Sequence, residues 1–294
     1  MRFTLLIILL FLSFASLKAK STWTSSLSLV QGMFEPKKHS LLMVNEHFEV
    51  RTNAEISEAM GSVITFERGG ISDSPGIVEK NALHLELGTV TYERSLSKSK
   101  AFNYDFLSPL FRFGLIDNRL ELRLQSKGLS LNRNDFNVSN IAPGFKLRLF
   151  DESRYLPSLQ MISAFSIPFE SIKSNYSHSY KFLINKTLTE KLNFLVNLSL
   201  NFDSFDFNSG REFTALSLPY VFDLSYALTD KFTILAEVFG SWSSSNELGS
   251  SLGLAYGATY ALLDDLIFDF TNYYGLNDAT TDFGVTTGLS YKFF

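Results

Sequence analysis

The stretch LNFLVNLSLNF, residues 192–202, sets Leu192, Phe194, Val196, Leu198, Leu200 and Phe202 at every second position, with Asn193, Asn197, Ser199 and Asn201 between them. Side chains of a strand point alternately to opposite faces, so this pattern predicts a β-strand with one apolar and one polar face. It is longer than the usual strand of about five or six residues. A length of roughly nine to eleven residues suits a tilted crossing of the hydrocarbon layer of a bilayer. The same alternation returns in Leu216, Leu218, Tyr220, Phe222, Leu224, Tyr226 and Leu228, with Ser217, Asp223 and Ser225 between. It returns again from Phe232 through Ile234, Ala236 and Val238 to Trp242, and in Leu252, Leu254, Tyr256, Ala258, Tyr260 and Leu262.

What separates the strands is equally regular. Short turns recur in LIDNRLEL around Asp117, FDESRYL at Asp151, LTEKLNF around Glu190, LTDKFTI around Asp230 and LLDDLIF around Asp264, at intervals of roughly 34 to 40 residues. An acidic residue with a polar neighbour between two apolar runs makes a tight hairpin, because Asp and Asn side chains bond nearby backbone. The alternate connections are longer and more polar: SLSKSKAFN, LNRNDFN, ESIKSNYSHS, DSFDFNSGRE, SSSNELGS and GLNDATT. Short turns at one end and long polar loops at the other are the plan of an outer-membrane barrel. The sequence thus predicts an all-β fold, an antiparallel transmembrane β-barrel of about 12 strands. They are expected near 83–93, 104–115, 119–131, 138–150, 157–169, 178–188, 191–203, 213–228, 231–242, 250–262, 266–275 and 282–293. An even number lets the first strand pair with the last, leaving no open edge in lipid. In the last strand the apolar face ends at Phe293, and Phe294 lies one residue beyond that register.

A β-sandwich also alternates. Strand length and the repeated turns weigh against it, as does the set Tyr220, Tyr226, Trp242, Tyr256, Tyr260, Tyr291 and Phe293, placed as an interfacial aromatic girdle would be. Composition agrees: aromatic residues make up 15% of the chain, while charged residues are 19%, below the usual quarter. A net charge of -4 gives no electrostatic footprint for nucleic acid. With no cysteine, disulfides, thiolate metal sites, cysteine nucleophiles and a lipidated amino-terminal cysteine are excluded.

Residues 1–19, MRFTLLIILLFLSFASLKA, join an early Arg2 to an apolar run too short to span a bilayer, and predict a cleaved signal peptide with the mature chain starting near Lys20. Residues 20–81 alternate only in part and include the loop ERGGISDSPG; they are expected to form a periplasmic extension or a small plug before the barrel at 82–294.

Four further stretches carry a family resemblance: SDSPGIVEKNALHLELG at 72–88, LSPLFRFGLIDNRLELRL at 107–124, APGFKLRLF at 142–150 and the closing GLSYKFF. With them the chain, from about Ile71 to Phe294, resembles the outer-membrane family called "putative MetA-pathway of phenol degradation", whose members are often labelled transporters. The resemblance implies an outer-membrane channel for small compounds, aromatic or apolar ones among them. It brings no catalytic motif.

No residue pattern calls for a cofactor or a metal. Of the four histidines, His39 and His47 fall in the irregular region, His84 points inward on the first strand, and His178 begins the sixth; none has a partner at a metal-ligand spacing. His178 beside Ser177 or Ser179 is the one local arrangement that a barrel lipase or esterase could use. The sequons at Asn137, Asn175, Asn185 and Asn197 are expected to be coincidental in a bacterial barrel. The lumen is more informative. Taking each polar face as inward, Arg112, Glu121, Arg123, Lys146, Arg148 and Lys181 line one wall, and Asp223, Glu237 and Asp269 the other, all within about nine residues of a short turn. Asp223 and Glu237 lie seven residues on either side of Asp230, hence at similar depth. These charges either pair and fill a narrow barrel or set a transverse field across an open pore. The leading expectation is a passive channel in the bacterial outer membrane, meeting lipid, barrel-assembly machinery and a small-molecule solute. A structural or adhesive barrel with a filled lumen is the alternative, and an outer-membrane hydrolase a third.

Overall fold

A computed structural model describes residues 66–95, 101–126, 128–132, 135–138, 140–167, 176–207, 211–244 and 249–294. The expected signal peptide at 1–19, residues 20–65 with His39 and His47, and Asn175 lie outside the described residues. The strands are β1 (Leu83–Ser95), β2 (Ala101–Ile116), β3 (Leu120–Ser126), β4 (Leu129–Asn132), β5 (Asp135–Val138), β6 (Ile141–Phe150), β7 (Ser158–Ser166), β8 (Ser177–Thr187), β9 (Leu192–Phe207), β10 (Arg211–Ala227), β11 (Phe232–Ser243), β12 (Ser251–Leu263), β13 (Leu266–Gly275) and β14 (Phe283–Lys292). Among the described residues there is no helix.

Sequence neighbours pair antiparallel, and β1 bonds to both β2 and β14, so the sheet closes on itself. The expected third and fourth strands, 119–131 and 138–150, are each interrupted. β3 and β4 both pair with β2 and form one crossing; β5 and β6 form the next. The result is a closed 12-stranded barrel.

The interruption has a local cause shared by three strands. Gly128 takes φ +77°, and a side chain there would overlap the carbonyl oxygens of Phe106 and Leu107. Leu107 itself sits at φ +51°, a conformation disfavoured for a side chain of its size. Opposite it, β1 bulges between Gly88 and Val90. That bulge inserts Thr89, whose Oγ1 bonds the Thr287 carbonyl at 3.2 Å, and it switches which parity of β1 faces inward.

Burial is inverted relative to a soluble protein. Leu198, Phe222 and Leu254 are each 43% exposed on the outer face, while Arg112, Lys146, Glu86 and Glu121 are fully buried inside. Apolar side chains solvate in lipid and the polar ones need each other. Aromatic pairs mark both ends: Phe232 with Tyr260 and Tyr291 with Phe293 near the short turns, and Tyr92, Tyr104, Tyr274 and Phe283 near the long loops. Tyr256 on β12 stacks on Tyr274 of the neighbouring β13. The seam extends to the last residue: Phe293 N–H donates to Leu83 O at 2.9 Å, and Phe294 O accepts from Leu83 N–H at 3.1 Å. Phe294 lies past the apolar register, but its backbone is inside the closure.

Candidate functional site

Residues 66–82 approach β1 on one hand and enter the ring of strands on the other. The segment has two adjacent glycines, Gly69 and Gly70, and a Pro75-Gly76 pair, with neither a 2.0 nor a 3.6 residue period. Having no ladder of its own, its backbone must find partners elsewhere. The barrel wall supplies them. The Glu86 carboxylate accepts the Glu67 N–H (2.9 and 3.0 Å) and the Arg68 N–H (3.1 Å). Glu237 accepts Ile71 N–H at 2.7 Å and Ser72 N–H at 2.9 Å, Asn197 accepts Asp73 N–H at 2.8 Å, and Glu121 accepts Val78 N–H at 2.8 Å. From the basic wall Lys146 Nζ donates to the carbonyls of Ser74 (2.6 Å) and Gly76 (2.7 Å), Arg112 donates to Gly76 O (2.9 Å), and Arg148 to Pro75 O (3.3 Å). A segment bonded at once to β1, β2, β3, β6, β9 and β11 can lie only inside the ring.

Its side chains complete the charge pattern. Glu67 Oε1 lies 2.6 Å from Lys146 Nζ, 2.9 Å from Arg123 Nη1 and 3.2 Å from Arg112 Nη2. Arg112 also meets Glu86 and Glu121, both at 2.8 Å. Asp73 pairs with Lys181 and, at 3.4 Å, with Arg123. Toward the other wall Arg68 donates two parallel hydrogen bonds to Asp269, Nε to Oδ2 at 3.0 Å and Nη2 to Oδ1 at 3.2 Å. Gly114 lets the segment pass: a side chain there would overlap the Glu79 carbonyl oxygen and lie 2.6 Å from that of Val78.

Basic and acidic walls were expected to face each other across the lumen, either pairing directly or setting a field. In the structure the 66–82 segment stands between them, turning Glu67 and Asp73 to the basic wall and Arg68 to Asp269. Asp223 and Glu237 are direct neighbours in the β10–β11 register. Glu237 is engaged by the segment backbone, while Asp223 Oδ2 is buried without a hydrogen-bond partner among the described residues. Glu86, Glu67, Arg68 and Asp73 were missed. Glu86 was legible, because the alternation that puts His84 inside puts Glu86 there two residues later. The other three lie in an aperiodic loop that gives no such signal.

His84 is buried, with Nε2 3.6 Å from Glu79 Oε2 and its ring 5.3 Å from that of Phe66. His178 Nε2 meets Ser163 Oγ on β7 at 3.2 Å, not Ser177 or Ser179, because the register aligns His178 with Phe165 and stacks it near Tyr180. No side chain bonds the second ring nitrogen among the described residues. No cluster of three or more metal-binding side chains occurs among the described residues.

Above the segment, toward the long loops, a cavity of about 250 Å³ remains, floored by Glu67–Asp73 and walled by Thr91, Ser108, Gln125, Tyr273 and Thr286. Fold and interior together define a class, the membrane barrel whose lumen is narrowed by a segment of its own chain. Two solved structures share the fold. One is a NanC porin (12% identity, TM-score 0.51, 71% of this chain and 99% of that one covered). The other is an outer membrane channel from Pseudomonas putida F1 (10% identity, TM-score 0.54, 74% and 97% covered). The family described as "Putative MetA-pathway of phenol degradation" matches residues 66–293, and the chain belongs to it. The match starts at Phe66 and so takes in the inner segment. Among curated proteins none matches the chain.

Proposed function

We propose that the protein is a narrow, passive channel of the bacterial outer membrane, with the short-turn end in the periplasm and its passage for small solutes set by the 66–82 segment. The closed barrel with a polar interior, in the fold of outer-membrane porins, carries this reading. An aromatic or apolar cargo, as the family description suggests, would pass a wall of buried charge, so such a solute would need a polar group to cross readily. The packed charges around Glu67 favour one rival, a filled barrel of purely structural role. Planar-bilayer recording of the refolded mature chain separates them. The channel reading expects discrete, small conductance steps; an electrically silent bilayer from protein that refolds, judged by slower migration after boiling, supports the filled barrel instead.

A further inference from the structure

The cavity above the segment is lined in part by hydrogen-bonding groups with unused capacity, beside the apolar Ile71 and Leu110. Arg68 spends Nε and Nη2 on Asp269, Thr286 and the Thr287 carbonyl, while Nη1 has no hydrogen-bond partner among the described residues. Its side chain is 20% exposed. Gln125 is exposed in the wall and its amide bonds nothing among the described residues, leaving a donor and an acceptor free. Thr91 Oγ1 donates to Thr286 Oγ1 at 3.1 Å and keeps acceptor capacity, while Thr286, which also accepts from Arg68, keeps its O–H to donate. Tyr273, its hydroxyl held by Glu93, contributes a ring to the same wall.

We infer that this cavity binds an uncharged, hydroxyl-rich solute about the size of a single sugar ring; the inference deepens the channel reading and rests on it. The charges that line the cavity are already paired, Arg68 with Asp269, Glu67 with Lys146, Arg123 and Arg112, and Asp73 with Lys181 and Arg123, so an ion of either sign finds no unpaired counter-charge in exchange for its hydration. Both donors and acceptors are on offer, the combination that a hydroxyl group can satisfy from either side. A purely aromatic solute would desolvate these groups and return nothing for them. The volume is that of about eight waters at roughly 30 Å³ each, which suits a small ring rather than an oligomer.

The test is saturation-transfer NMR on the full mature chain in nanodiscs, with glucose, gluconate and phenol as probes. It compares the wild type with a Gln125→Leu/Thr91→Val variant, which removes wall contacts and leaves the charged cluster intact. Glucose should bind the wild type and lose affinity by about tenfold in the variant, the loss expected for two neutral hydrogen bonds. Gluconate and phenol should show no difference between the two proteins. Glucose signals that do not depend on the substitutions, or gluconate or phenol signals that do, overturn the inference. Conductance recorded on the same preparations keeps the two readings apart. Conduction without variant-dependent glucose binding overturns the site alone, and a silent bilayer overturns the channel.

Discussion

Replacing Glu67 by Gln changes one charge at constant shape, in the segment rather than in the wall. Arg112 keeps Glu86 and Glu121, and Arg123 keeps Glu121 and Asp73. Lys146, fully buried, loses the one carboxylate within 4 Å of it among the described residues and retains the Ser74 and Gly76 carbonyls. Breaking a buried pair from one side costs about 3–5 kcal/mol. The Gln carbonyl can still accept a hydrogen bond, so the lower end applies, about 3 kcal/mol. At 1.4 kcal/mol per tenfold, docking of the segment weakens about a hundredfold. The readout exploits a chain without cysteine: Val78→Cys places a thiol at a position 1% exposed, which a maleimide reaches only when the segment leaves its site. Labelling should accelerate about a hundredfold in Glu67→Gln. Adding Lys146→Met, which removes the stranded cation, should recover part of the loss. An unchanged labelling rate in Glu67→Gln refutes the reasoning. So does acceleration accompanied by loss of the heat-modifiable band, because the barrel itself would then have opened.

Gly114→Ala should also speed Val78→Cys labelling while the barrel persists, because its methyl group must displace backbone rather than a flexible side chain, at a cost of about 1–3 kcal/mol. Burial raises the Glu67 carboxyl, but Lys146, Arg123 and Arg112 outweigh it and hold it well below the usual range. His84, and with it Lys292, holds Glu79 at about 2 against an ordinary 4.5. Both values are depressed by docking, so their stabilisation is complete above the undocked value and is lost as pH falls through the docked one. These two carboxyls should therefore make labelling rise as pH falls below about 4. Leu198→Arg, on the lipid face midway along β9, should cost about 2–4 kcal/mol in a refolding titration. Asn197→Ala, one residue away on the inner face, should cost the barrel far less and instead raise thiol labelling, because Asn197 bonds Asp73 rather than the wall.

The period of two made the barrel readable because lipid and lumen impose opposite chemistry on alternate residues. It also put Arg112, Glu121, Arg123, Lys146, Asp223, Glu237 and Asp269 on the buried inner face, where they lie with relative exposures of 7% or less. Two things were hidden. The bulge at Thr89 and the positive φ at Leu107 depend on pairing across three strands, and no local composition announces them. The occupant of the lumen was hidden for the opposite reason. ERGGISDSPG is as polar as any surface loop, and only the surrounding ring shows that its backbone is satisfied by Glu86, Asn197, Glu237 and Lys146. Asn197 looks in sequence like a tolerant lumenal position, yet it is 1% exposed and holds Asp73.

The central claim is that residues 66–82 narrow a pore that the barrel would otherwise leave open. Single-channel recording of the mature chain beside a variant lacking residues 66–78, each shown to refold by its heat-modifiable band, tests it most directly. The account predicts small steps from the intact chain and conductance several-fold larger from the deletion. Equal conductance from the two, or silence from both, would contradict it.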